Sequence, residues 1–344
     1  MNAAMDRTRA VAPSWQAAVA KYQMADGWKG LRQVANTFIP YFVLWYVMYR
    51  SLEVSYWLTL ALAPLAGGFL VRIFIIFHDC GHESFFNSAR ANHILGSIAG
   101  VVAFTPYYAW RHAHAVHHAT AGNLDRRGVG DVLTLTVKEY QQRSWWGRLA
   151  YRVYRNPLAM LLIGSQIVFL IVHRIPPRAS KKRERNSVYW TNLALLVQIV
   201  GLSLLIGFDK FVLVQLPLNV IAGVVGVWMF YVQHQFEGTY WTRQPQWDYV
   251  AAAMRGSSYY KLPKVLQWFT GNIGLHHIHH LSPRIPNYNL QPCLDANPPF
   301  QQVDALTLRA SFKSMFLKLW DEERGRLVGF KHLAPARVEQ GGRA

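Results

Sequence analysis

Long apolar runs alternate with basic, aromatic-rich stretches along this chain of 344 residues. Residues 1–34 are polar, carry Arg7, Arg9, Lys21, Lys29 and Arg32, and read as a short helix-bearing arm. The pattern then turns apolar. Residues 35–49 form a first run ending at Arg50, and residues 54–77 a second, interrupted only by Pro64 and Arg72. Residues 188–208 and 211–233 form two more, joined by the polar tip Asp209-Lys210. As modestly tilted helices, these four runs are long enough to cross a hydrocarbon core of roughly 30 Å. Pro217, Gly223 and Gly226 in the last run predict tight packing or a bend rather than a break. After His234 the chain becomes polar and aromatic; PRIPNYNL at 283–290 breaks any helix there, and residues 307–320 have helical periodicity.

Composition turns these runs into a membrane protein. The chain is 52% hydrophobic with 13 Trp, 17 Tyr and 18 Phe, too apolar and aromatic for an ordinary soluble domain of this length. No cleaved signal peptide is expected, because the first thirty residues lack a continuous apolar stretch. Cys80 and Cys293 are far apart and no CxxC pair is present, which fits a site facing a reducing cytoplasm.

The net charge of +18 comes from 36 basic against 18 acidic residues, many of them bordering the apolar runs. Such charge sets orientation and attracts anionic lipid headgroups, with an acidic protein partner as a second reading. A nucleic-acid partner is not expected, since no nucleic-acid motif is present and the aromatics lie in apolar segments.

Charge also decides the shorter runs. With the N-terminal arm cytoplasmic, two spans return the chain to the cytoplasm at His78, and the basic stretch 111–155 belongs there too. The run 94–109 therefore reads as a re-entrant or interfacial helix, and its Gly96-x-x-x-Gly100 match reads as chance. Residues 158–172 precede the basic loop HRIPPRASKKRER at 173–185 and read as a second non-spanning segment. Arg72, near the end of its span, is expected to snorkel to the interface.

Ten of the 14 histidines lie in three clusters: FHDCGHESFF at 77–86, WRHAHAVHH at 110–118 and GLHHIHH at 274–280. On a helix, residues at i, i+3 and i+4 share a face, so these spacings aim several imidazoles at one point. A lone histidine is usually a satisfied or solvent-facing residue. Three clusters at ligand spacing, at the ends of apolar runs, instead read as a polymetal site. Imidazole binds Zn, Cu, Ni or Fe, and the ligand type leaves that choice open. The topology above puts all three clusters and His234 on one side of the membrane. A metal transporter would carry ligands inside its spans, and a haem cytochrome needs paired axial ligands; neither matches this pattern.

The three clusters resemble the histidine boxes of membrane fatty acid desaturases. The surrounding ATAGNLDRRGVGD at 119–131, YVQHQF at 231–236 and GNIG at 271–274 resemble the bacterial acyl-lipid desaturases, over about residues 35–330. The resemblance implies an all-α integral membrane protein with four transmembrane helices, non-spanning interfacial helices and a cytoplasmic helical cap formed by 78–187 and 234–330. A polar tail would follow at 331–344, and the protein would sit in a bacterial inner membrane with its site on the cytoplasmic side. It implies two non-haem iron ions, with O2 as co-substrate, held by nine ligands: His78, His82, His114, His117, His118, His234, His276, His279 and His280. His112 and His277 are left as extra cluster members, candidates to support the ligands from behind, while His93, His173 and His332 receive no role. Ligating imidazoles usually donate their other N–H to a carboxylate or carbonyl, which makes Asp79, Asp125 and Asp131 candidates to orient them.

An unactivated methylene offers no proton that an ordinary side-chain base removes, so the implied chemistry needs O2 at a redox metal. The product is a desaturated membrane-lipid acyl chain, with hydroxylation at the same centre as the alternative. No flavin, haem or dinucleotide motif is visible, so electrons come from another protein; the resemblance implies a ferredoxin or flavodoxin, which a basic face would steer. The chain departs from the family pattern twice. Phe230 stands where some relatives have an asparagine that reaches a metal through water, and Glu83 stands where close relatives often have glycine. A carboxylate at 83 would be placed to compete for a metal or to hydrogen-bond a ligand.

Overall fold

The computed structural model describes residues 15–333. A short helix α1 (Trp15–Ala20) precedes α2 (Gly27–Ser51), whose first turn is capped by the Asp26 carboxylate accepting from the Trp28 and Lys29 amides. Next come α3 (Tyr56–Gly81), α4 (Ala89–Val102), α5 (Tyr107–Thr120) and α6 (Trp145–Tyr154). The long pair α7 (Lys182–Ile206) and α8 (Phe208–His234) follows. Short helices complete the chain: α9 (Tyr249–Gly256), α10 (Lys264–Phe269), α11 (His276–Leu281) and α12 (Asn287–Ala296).

The molecule is mostly helical rather than all-α. Strand β1 (Tyr259–Lys261) pairs in parallel with β2 (Ala305–Thr307), and β3 (Leu319–Asp321) pairs antiparallel with β4 (Arg326–Val328). The helix expected over 307–320 is accordingly broken into the end of β2, a four-residue helix (Leu308–Ser311), a 3-10 turn (Phe312–Phe316) and β3. Long-range pairing wins there: the Trp320 amide donates to the Leu135 carbonyl at 3.0 Å, a partner that local periodicity does not reveal. The expected arm and tail extend beyond the described residues at 1–14 and 334–344.

Among the described residues, three helices, α3, α7 and α8, are long and apolar enough to cross a membrane. The count rises to four if α6 and the irregular segment 159–174, bent by 73° at their junction, make one broken span rather than a re-entrant loop. This differs from the sequence expectation at one of the four expected spans. Helix α2, which contains the first expected span, has 25 residues but is not among the three; its apolar run is interleaved with Asn36, Thr37, Pro40, Tyr41, Tyr46 and Tyr49. Residues 158–172, expected not to cross, form π-helical turns within the bent pair. Helix α4, with 14 residues, spans only about 21 Å and is too short to cross.

The structure is built around α3, which is buried along its second half and packs against α2, α4 and α8. Ile73, Ile76 and Phe77 on α3 meet Val214 and Leu218 of α8 and Tyr41 and Met48 of α2 in one apolar cluster. The glycines of α4 are not accidental. A Cβ at Gly96 would run into the Tyr107 ring, and one at Gly100 would lie 2.5 Å from the Thr105 carbonyl, so the close return of the chain onto α4 favours glycine at both.

Arg72 does not snorkel. It is 6% exposed; its Nε donates to Thr37 Oγ1 at 3.1 Å, one amino group donates to the Trp268 carbonyl, and its guanidinium lies 3.9 Å from the centre of the Trp268 ring. Aromatic and backbone partners replace the interface as its environment.

Candidate metal centre

Four helix ends deliver the imidazoles. His78 is in the last turn of α3 and His82 caps it, so the two rings share a face one turn apart. His114, His117 and His118 lie on the inner side of α5, His234 closes α8, and His276, His279 and His280 come from α11.

They converge in two groups. His78, His82, His114, His118 and His279 form one; His117, His234, His276 and His280 form the other. Within each group the available ligand atoms all lie within 4.8 Å of one another. His118 Nε2 is 3.1 Å from both His114 Nε2 and His279 Nε2, and His234 Nε2 is 3.0 Å from His117 Nε2 and 3.1 Å from His276 Nε2. Two nitrogens on one metal at bond lengths of about 2.1 Å, roughly at right angles, are ~3 Å apart, so these separations suit a shared ion. The groups touch: the His118 and His280 rings stack with centroids 4.1 Å apart.

The donor set passes a second test. His82 Nε2 and His280 Nε2 are buried and have no hydrogen-bond partner, a costly state unless another electron-pair acceptor is present. Burial, reinforced by neighbouring imidazoles, holds His82, His114, His118, His276, His279 and His280 well below the ordinary imidazole value. These rings are neutral at neutral pH, with lone pairs free for a cation.

Behind the rings lie carboxylates. His78 Nδ1 donates to Asp79 Oδ1 at 3.0 Å, while Asp79 Oδ2 accepts from the Asn287 amide at 2.6 Å and its side-chain amide at 2.8 Å. His117 Nδ1 donates to Asp131 Oδ1, and His234 Nδ1 to the Gly256 carbonyl at 3.3 Å. Fixing one ring nitrogen in this way turns the other toward the centre.

Three expected supports lie elsewhere. Asp125 accepts from Arg243 at 2.6 Å and from the Gln244 amide at 2.8 Å; it braces a loop and touches no imidazole. His112 is exposed on the outer side of α5, 3.6 Å from Glu184. His277 is buried but turns the other way, donating to the Phe300 carbonyl at 3.0 Å, and burial pushes its pKa down to about 4.

Both departures from the family pattern are visible. Phe230 packs its ring 5.1 Å from His117 and 5.4 Å from His234, an apolar wall beside the four-imidazole group. Glu83 turns away from both groups: its Oε1 lies 2.6 Å from Arg111 and 3.4 Å from His93 Nε2. Its φ of 55° is left-handed, a backbone state that glycine adopts most easily.

Several contributing residues went unnoticed in the sequence. Asn287 lies in the stretch read only as a helix breaker, and Trp110 stacks on His114 with centroids 4.3 Å apart. Tyr249 donates its hydroxyl to the His280 carbonyl at 2.7 Å. Trp110, four residues before His114 on one helix face, carried a readable signal; Asn287 and Tyr249 did not.

Comparison with known proteins finds relatives along most of the chain. The family model "Fatty acid desaturase" matches residues 55–309. The chain is 50% identical over 313 residues to "Fatty acid desaturase" of Bacillus subtilis (strain 168), covering 91% of this chain and 89% of that protein. It is 26% identical over 257 residues to the sn-1 oleoyl-lipid 12-desaturase of Picosynechococcus sp., covering 71% of this chain and 70% of that one. It is also 26% identical over 268 residues to the sn-1 acyl-lipid omega-3 desaturase (ferredoxin) of Synechocystis sp., covering 73% and 71%.

Proposed function

This chain belongs to the fatty acid desaturase family, and we propose that it introduces a cis double bond into an acyl chain of membrane lipids at a centre of two non-haem iron ions. The observation that carries the reading is the convergence of nine imidazoles into two buried groups with no carboxylate or thiolate among them. His78, His82, His114, His118 and His279 would hold one iron; His117, His234, His276 and His280 would hold the other. When bound, the irons would supply O2-dependent oxidation, in which two hydrogens leave neighbouring methylenes, two electrons arrive from the donor and two protons from water, and O2 is reduced to two waters.

The protein's own part is placement and exclusion. Asp79 and Asp131 fix the tautomer and direction of His78 and His117, and the Gly256 carbonyl does the same for His234. Phe230 and Trp110 pack against the ligand rings and keep water from them. The acyl substrate reaches this centre from the bilayer, and the electron donor is a ferredoxin or flavodoxin drawn to a basic cytoplasmic face. The Synechocystis relative's name, which includes ferredoxin, supports that donor class. Positive charge beside the apolar helices supports a cytoplasmic site in a bacterial inner membrane, with α2 as a further span below a cap formed by 78–187 and 234–330.

Expression in a host lacking such an activity, with mass spectrometry of its lipids, tests the reading. A new double bond at one position is the expected result. A hydroxylated acyl chain without any double bond would replace desaturation with the alternative oxidation on the same centre.

A further inference from the structure

Beside the metal centre lies a cavity of about 620 Å³ whose wall carries Arg72, Lys261 and Lys264. Among the described residues none of the three cations makes an ion pair, and the cavity's one carboxylate, Asp295, accepts from Gln291 at 2.7 Å. Arg72 is held rigidly by Thr37 and by the carbonyl and ring of Trp268, yet it is a buried cation without a counter-charge. Burying such a group is costly unless an anion completes it.

The cavity mouth has the features of a membrane boundary. Val265, Leu266 and Trp268 of α10 are exposed apolar side chains flanking exposed Lys261 and Lys264, while Phe269 and Trp268 anchor the helix on Phe69 of α3 at 5.2 and 5.8 Å. An apolar edge beside lysines fits acyl chains meeting their headgroups. The inner wall lies one residue removed from the ligands. Leu275 precedes His276, and Asn287 donates twice to Asp79, the carboxylate that holds His78.

We infer that this cavity binds the headgroup phosphate of an anionic glycerophospholipid, with Lys261 and Lys264 at the mouth and Arg72 at the floor, so that the lipid's acyl chain is presented to the neighbouring centre. The inference rests on the acyl-lipid reading above and names the headgroup class it implies. A lysine close to a lipid phosphate strengthens association by about fivefold, so two lysines give a tenfold or larger preference for a charged headgroup.

The test uses the iron-loaded full chain in neutral detergent, offered phosphatidylglycerol or diacylglycerol with identical acyl chains, with retained lipid read by native mass spectrometry. The wild-type protein should retain phosphatidylglycerol at least ~tenfold over diacylglycerol, and Lys261→Gln/Lys264→Gln should bring the ratio close to one with iron content unchanged. Both lysines are exposed, so the double variant is expected to fold; Arg72→Gln, at a buried position, is the secondary variant. Absence of preference in the wild type, or an unchanged ratio in the double variant, would overturn the site. So would displacement of phosphatidylglycerol by an equimolar acyl-CoA, since the cavity would then take a soluble thioester's phosphates. Selective retention with no new double bond in host lipids would sink the desaturase reading and leave the headgroup site standing.

Discussion

The two imidazole groups use one ligand type but are braced by different parts of the chain. The five-membered group takes His78 and His82 from the end of α3, and its carboxylate, Asp79, is tied by two donors to Asn287 of α12. Its geometry is therefore coupled to packing of the longest-buried helix. The four-membered group is braced by Asp131, from the loop after α5, and by the Gly256 carbonyl at the end of α9, and it has Phe230 as an apolar wall. The brace of the first group is tied to helix packing, whereas part of the second is braced by a loop carboxylate. The difference predicts unequal responses to equivalent substitutions.

The largest effect should come from His118, which stands between the groups: its Nε2 is 3.1 Å from His114 and His279 while its ring stacks on His280. His118→Ala is expected to lower turnover more than ~100-fold and to release metal from both groups, because loss of a ligand exceeds the 10–100-fold cost of losing a ligand's support. His82→Ala, confined to the five-membered group, should lose as much activity but keep about half of the iron. Metal analysis of purified variants makes the distinction. Equal iron loss in the two variants would mean that the groups bind metal as a single unit.

Next in size are the carboxylates. Asp79→Asn and Asp131→Asn should each weaken metal retention by about 10–100-fold in chelator competition. Only Asp79→Asn should also destabilise the fold, since its new amide faces the donors of Asn287 and leaves a buried donor unsatisfied, at a cost of roughly 1–3 kcal/mol. Thermal unfolding of the two variants compares them; equal midpoints would show that the Asn287 tie contributes nothing.

A smaller and opposite change is expected at the apolar wall. Phe230→Asn replaces a ring 5.1 Å from His117 with a polar group able to assist the smaller ligand set. Metal retention by the four-membered group should rise a few-fold, within the range by which neighbours of ligands act. A fall instead would show that packing against His117 and His234 matters more than an added donor.

What was legible in the chain divides along the same line. The helical spacing of His114, His117 and His118, and of His276, His279 and His280, depends only on local geometry, so their common faces could be read directly. Asp79 and Asp131 were readable because they neighbour the clusters, but the same proximity misled for Asp125, whose partners Arg243 and Gln244 are over a hundred residues away. Asn287 meets Asp79 across 208 residues and gives no local sign of it. Arg72 was misjudged because its Trp268 cradle is likewise remote. Span membership is hard to read for a related reason: apolar runs mark where lipid or core is possible, and the run in α2 interleaves Asn36, Thr37, Pro40 and three tyrosines with its aliphatic residues.

Glu83 should show the smallest effect. It lies next to His82, yet its carboxylate is engaged by Arg111 and His93 rather than by the ligand rings. Glu83→Gly would relieve a left-handed residue, a gain of roughly 1–2 kcal/mol, but glycine's extra freedom in the unfolded chain offsets about 1 kcal/mol of it. The partly exposed pair with Arg111 contributes about 0–1 kcal/mol more to the loss. The terms nearly cancel, so the unfolding midpoint should move by no more than a few degrees, with iron content and turnover as in the wild type. If Glu83→Gly changes iron retention as much as Asp79→Asn does, then the carboxylate at 83 reaches the five-membered group in the working enzyme, and the two groups differ in ligand chemistry as well as in bracing.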